Sequence, residues 1–298
     1  MPTPIDSRLS VEDRGDRRPG REVTTFLTLA TLAAGAVLLL MIDRIPAGFP
    51  RGDEEAATSA LGGLAMVYGF GPFVAAIITA AIFRGRSGVA ALFRRVVTWR
   101  VPPQWYVAAL IVPILPQWLG LVVWSWLTGH DVMLPSPGAY LSSWLQIAAI
   151  SALYFISEEL GWRGFLLPRM LARYGWIDAA VRVGLIWAVW HYPYWTVSSW
   201  VMAEPWTDIG VSLLASSCRA IALSVLMTWI FKSSSGSVLL AMIFHGSNNA
   251  NFGKMFDAGG EPALVGPAFL GVQSAVAVAC ALALVALLAL RAPKSSTT

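Results

Sequence analysis

The chain has 298 residues, of which 56% are hydrophobic and only 13% charged, and its mean hydropathy is +0.63. A soluble domain carries about 25% charged residues, so the composition excludes an ordinary soluble globule and points to an all-α, polytopic membrane bundle. The net charge of +4 comes with no basic stripe interleaved with aromatics, which argues against a nucleic-acid partner. Cys218 and Cys280 each lie inside an apolar run and give neither a metal-ligand spacing nor a disulfide framework.

In chain order, residues 1–22 are charged, contain proline and glycine, and are poor in apolar side chains; they are expected to form a disordered cytosolic tail. A crossing helix needs about 20 mostly apolar residues. Uncharged stretches of that kind run over 23–42, 56–83, 101–130, 132–157, 183–203, 233–253 and 262–290, and another, 209–231, is interrupted only by Arg219. The expectation is one transmembrane domain of about eight helices over residues 23–291, followed by a short cytosolic tail, 292–298. The first span is too long for a signal core and no small-residue cleavage site follows it, so it is expected to stay as an anchor. Residues 84–102 read as a short basic amphipathic segment lying on the inner membrane surface. Seventeen of the 21 lysines and arginines fall in segments on one side of such a bundle, which puts both termini in the cytoplasm. Short loops and spans of this length suit a bacterial inner membrane. No internal repeat is evident, which weighs against an inverted-repeat transporter.

Ionisable groups within a span are costly and functional by default. Here they are Glu158, Glu159 and Arg163 in one span, His191 in the next, Arg219 in the one after, and His245, with Asn249, in the seventh. His130 falls in an outer loop and reads as solvated. Glu159 and Arg163 are four apart, share a helix face and are expected to pair. Glu158 lies about 100° around the helix from Glu159, which leaves its carboxylate for chemistry. Trp187 and His191 are also four apart, as are His245 and Asn249, and Pro193 is expected to bend its helix just beyond His191. A continuous helix through Gly161–Trp162–Arg163 is expected to stop at Pro168.

These residues resemble the CPBP family, the CAAX protease and bacteriocin-processing family of intramembrane endopeptidases. Its pattern has three parts, EExxxR, FxxxH and HxxxN, on successive helices. Glu158 to Arg163 matches the first, His245 to Asn249 the third, and Trp187 to His191 the second with tryptophan where phenylalanine is usual. The likeness covers roughly residues 140–252, the expected catalytic core. It implies an all-helical bundle enclosing a wet polar cavity, with a membrane-associated peptide or protein as substrate and the lipid bilayer as surroundings. It further implies that Glu158 and His191 activate a water, that His245 and Asn249 stabilise the oxyanion, and that Glu159 and Arg163 support them.

No metal or other cofactor is preferred. The alternative is a metalloprotease in which Glu158, His191 and His245 hold a zinc ion, as His₂Glu sites do. Arg219 reads either as a structural partner of Glu159 or of a backbone carbonyl, or as a contact for a substrate carboxylate. Buried Glu, Arg and His also build ion relays, so a proton- or ion-coupled transporter is the competing class, and a catalytically silent immunity or scaffold protein is a third.

Overall fold

Proline sets where many of these helices begin. The computed structural model describes residues 19–42, 63, 66–129, 137–201, 205–257 and 266–291, which are helical with no strand among them. The helices are α1 (Pro19–Ile42), α2 (Gly71–Val96), α3 (Pro103–Ile111), α4 (Leu115–Thr128), α5 (Pro137–Tyr154), α6 (Ile156–Glu159), a π-helical turn (Leu160–Leu166), α7 (Leu167–Leu171), α8 (Trp176–Val201), α9 (Trp206–Ser233), α10 (Val238–Asp257) and α11 (Pro267–Arg291). Proline occupies the first turn of α2, α3, α4 and α7, where its fixed φ suits the helix and its missing N–H costs nothing.

Six helical stretches among the described residues are long and apolar enough to cross a membrane: Gly20–Leu39, Met66–Val96, Pro103–Thr128, Tyr140–Leu171, Trp206–Ser233 and Pro267–Arg291. The other two expected spans exist as α8, of 26 residues, and α10, of 20. Both are diluted by polar groups; α10 alone carries His245, Ser247, Asn248, Asn249 and Asn251. The helical membrane bundle therefore stands, and eight is an approximate count. Large apolar side chains such as Leu32, Trp126, Ile150, Leu153 and Leu214 face outward, while Glu158, Glu159, Arg163, Gln117 and Asn248 are buried. Apolar outside and polar within is the distribution a bilayer imposes. The protein is an integral membrane protein.

Several expectations need correction. Helix α1 starts at Pro19, so residues 19–22 belong to it and not to a disordered tail; residues 1–18, 292–298 and His130 lie outside the described residues. The basic segment after Arg84 is set off from the rest of α2 by Gly85, whose φ of 60° and ψ of −151° break the range into two helices and suit a residue without Cβ. The third span is two helices, α3 and α4, broken at 112–114. Helix α8 carries Pro193 in its interior, where the sequence predicts a bend, and extends to Val201.

Pro168 does not end its helix either. The chain widens into the π turn at Leu160–Leu166 and resumes as α7. Pro168 has no N–H to offer the carbonyl four residues back, Gly164, and that oxygen instead accepts from Nη1 of Arg95 at 3.4 Å. The turn packs on α2 so closely that a Cβ on Gly161 would lie 2.5 Å from Pro72 Cβ.

Charge pins the far end of this segment. Glu22, fully buried in the first turn of α1, accepts from Nε of Arg84 at 3.0 Å and from Arg169 on α7. Arg169 also donates to the carbonyl of Phe165 at 2.8 Å and lies over that ring. Breaking a buried ion pair by removing one partner typically costs about 3–5 kcal/mol. Glu22→Gln is therefore expected to lower the thermal unfolding midpoint of the purified protein in detergent micelles markedly, whereas an unchanged midpoint would show that the triad adds no stability.

Candidate active site

Three elements carry the site: α6 with the π turn, α8 and α10. Glu158 and Glu159 are adjacent but face different partners. The Oε2 of Glu158 accepts from the indole N–H of Trp187 at 2.8 Å and lies 3.8 Å from Nε2 of His191. The Oε1 of Glu159 accepts from Nη1 of Arg163 at 3.0 Å and from Nδ1 of His245 at 2.8 Å. The expected Glu159–Arg163 pair is present, and it holds a histidine as well.

Hydrogen bonding fixes how His191 presents itself. Its Nδ1 lies 2.8 Å from the backbone carbonyl of Trp187. A carbonyl oxygen only accepts, so Nδ1 bears the proton, and in the neutral ring Nε2 carries a lone pair. That lone pair faces Glu158 across a gap too long for a direct hydrogen bond and suited to a shared water. The ring stacks on Trp195, with centroids 4.9 Å apart, and meets Trp190 edge-on.

His245 is held from both sides. Phe155 stacks on its ring at 3.6 Å, and its Nδ1 donates to the Glu159 carboxylate. Gly246 makes that placement possible. A Cβ there would lie 2.6 Å from the backbone nitrogen of Ala152 and 2.7 Å from the carbonyl oxygen of Ala148, both on α5. Only the bare glycine lets α10 lie against α5 at this depth.

Trp187 joins the two halves. Besides donating to Glu158, its indole sits 5.7 Å from the His191 ring and 5.3 Å from the His245 ring, and the Arg163 guanidinium lies 4.6 Å above it. Tryptophan stands here where the family pattern usually has phenylalanine, and the structure gives its N–H a task that phenylalanine cannot perform. Arg163 is fully buried, and its Nε and Nη2 find no hydrogen-bond partner among the described residues, so the indole face and Glu159 carry much of its compensation.

The structure thus gathers Glu158, Glu159, Arg163, Trp187, His191 and His245. Asn249 lies one turn along α10 from His245 and is exposed, with its Oδ1 accepting from Nδ2 of Asn248 at 2.8 Å. Arg219 reaches a group that the sequence does not single out: its Nη2 donates to Oδ1 of Asn248 at 3.3 Å. Among the described residues no three His, Cys, Asp or Glu side chains are gathered so as to hold a metal ion. Nδ1 of His245 donates to Glu159, which leaves its Nε2 for another partner; the reaction proposed below is routed through protein groups alone.

The fold and these groups define an integral membrane protein with a buried cluster of carboxylates, imidazoles and a guanidinium. Residues 140–251 match the family model described as type II CAAX prenyl endopeptidase, Rce1-like. The chain is also 30% identical over 97 residues to CAAX prenyl protease 2 of Methanococcus maripaludis, an alignment covering 32% of this chain and 35% of that protein. The chain thus spans about a third of the length of that curated relative. Over this stretch the resemblance to the CPBP family carried by the three motifs is borne out.

Forcing a methyl group into a close backbone contact typically costs about 1–3 kcal/mol. Gly246→Ala is expected to lower the unfolding midpoint in micelles, while Gly210→Ala, at a position with open space around it, is expected to leave it unchanged.

Proposed function

We propose that this protein is an intramembrane endopeptidase of the CAAX-protease type, which hydrolyses a peptide bond of a membrane-associated protein or peptide. The names of the matching family and relative point to prenylated CAAX substrates. The observation that carries the reading is the pair of proton acceptors, Oε2 of Glu158 and Nε2 of His191, 3.8 Å apart with the imidazole tautomer fixed.

A water between them donates one hydrogen to each acceptor and presents its own lone pair to a substrate carbonyl. As the oxygen attacks, its proton passes to the Glu158–His191 pair and the carbonyl oxygen becomes an oxyanion. His245 and Asn249 donate hydrogen bonds to that oxygen, the kind of electrostatic stabilisation that often contributes most to lowering such a barrier. The C–N bond then breaks and the stored proton is delivered to the departing amine.

The donor role requires a proton on Nε2 of His245. Nδ1 already donates to Glu159, so the ring acts as an imidazolium with Glu159 as its counter-charge. With Glu158 and Glu159 ionised, and Arg163 and His245 cationic, the four charges sum to zero. That balance is what a low-dielectric interior favours. Trp187 holds the Glu158 carboxylate in line with His191.

Removing a general base typically costs about 10²–10⁴-fold in rate. With a prenylated CAAX-type reporter peptide in detergent micelles, Glu158→Gln is expected to lower kcat by about 100-fold or more while the unfolding midpoint is kept; cleavage at the wild-type rate would sink the reading. Trp187→Phe keeps the ring and deletes one hydrogen bond to a charged group, worth about 1.5–3 kcal/mol. It is expected to reduce kcat by about tenfold or more with little change in KM, measured in the same assay.

A further inference from the structure

We infer that Arg219, Gln117 and Asn248 are positioning residues that lock the Asn249 carboxamide with its NH₂ group outward, in the orientation needed to donate to an oxyanion. The inference rests on the oxyanion role proposed for Asn249 and assigns work to three residues outside the family motifs.

A carboxamide has two nearly isosteric ends, one that donates and one that accepts, so its orientation must come from unambiguous neighbours. Here such neighbours exist at both ends of a chain of bonds. A guanidinium has only donors. The atom of Asn248 that faces Nη2 of Arg219 at 3.3 Å is therefore its oxygen. Gln117 agrees independently. Its Nε2 lies 3.0 Å from the backbone carbonyl of Asn248 and 3.4 Å from that of Pro113, both pure acceptors, so this atom is its nitrogen. The same nitrogen donates to Oδ1 of Asn248 at 2.8 Å.

With its oxygen held by Gln117 and Arg219, buried Asn248 turns its NH₂ toward Asn249 and donates to that residue's Oδ1 at 2.8 Å. The oxygen of Asn249 is thereby occupied on the protein side, and its own NH₂ is left facing away from Asn248. The frame behind the relay is tied down in turn. Oε1 of Gln117 accepts from Nδ2 of Asn251 at 2.7 Å, the backbone carbonyl of Gln117 accepts from Nε2 of Gln273 at 3.0 Å, and Tyr140 donates to Oδ1 of Asn251. Helices α4, α5, α9, α10 and α11 all contribute, so the setting of one exposed amide is specified from deep within the bundle.

Asn248→Asp separates orientation from mere structure. The aspartate still accepts from Gln117 and Arg219, and gains an ion pair with the latter. It has no N–H for Asn249, so that amide reverses to donate to Asp and turns its oxygen to the substrate. With the prenylated reporter peptide in micelles, we expect Asn248→Asp to lose about 100-fold in kcat, the typical loss for one oxyanion donor, with KM and the unfolding midpoint unchanged. We expect Asn249→Ala to show a similar loss, and Asn248→Asp to cost nothing further in the Asn249→Ala background, as residues acting as a unit do. Asn249→Ala slow but Asn248→Asp at the wild-type rate overturns the relay alone, as does a full second loss in the double variant. Asn249→Ala at the wild-type rate overturns the oxyanion role itself, and the relay with it.

Discussion

The arrangement depends on a fully buried carboxylate, Glu159, that is shared by two donors, a guanidinium and an imidazole, from different parts of the chain. One oxygen accepts from Arg163, four residues on, and from His245, 86 residues on. A carboxylate in a low-dielectric interior is tolerable only when paired and hydrogen-bonded. Here the pairing closes the π turn on itself and ties it to α10. Without Glu159, Arg163 would be a buried cation held chiefly by an aromatic face, and His245 would lose the contact that fixes its ring. The neighbouring Glu158 can face His191 because Glu159 takes the structural duty.

Around this centre the packing is tight for backbone and rich in aromatic side chains. Gly246 and Gly161 bring α10 to α5 and the π turn to α2 at distances a methyl group would forbid. The space between Glu158, His191 and His245 is walled by Trp187, Trp190, Trp195 and Phe155. Such walls surround the polar groups and leave a 3.8 Å gap between Glu158 and His191, which the proposed reaction fills with its water.

The parts of this site legible in the sequence are those that membrane scarcity exposes. In long uncharged runs, Glu158, Glu159, Arg163, His191 and His245 stand out because each ionisable group there demands a reason, and the four-residue spacing correctly pairs Glu159 with Arg163. The helical class is equally plain from composition. What stays hidden depends on partners far apart in the chain or on local geometry without a residue signature. Glu22 looks like part of a charged tail because its partners, Arg84 and Arg169, lie 62 and 147 residues away. The π turn reads as ordinary helix, since nothing in Leu160–Leu166 breaks the hydrophobic pattern. Gln117 and Asn248, uncharged amides, carry no cost large enough to draw notice, and Arg219 is visible while its partner is not.

The π turn has one more consequence. It inserts extra backbone between two anchors that both have fixed azimuths: Glu159, committed to α10, and Arg169, committed to Glu22 on α1. Relative to a uniform α-helix, each added residue rotates everything downstream by about 100°. The widened loop therefore acts as a phase shifter, letting a single rod satisfy two docking directions that a regular spiral of the same sequence length would set at odds. A one-residue deletion within 160–166 would restore the regular spiral and force the rod to choose between its two moorings, so the length of this stretch matters as much as the letters in it.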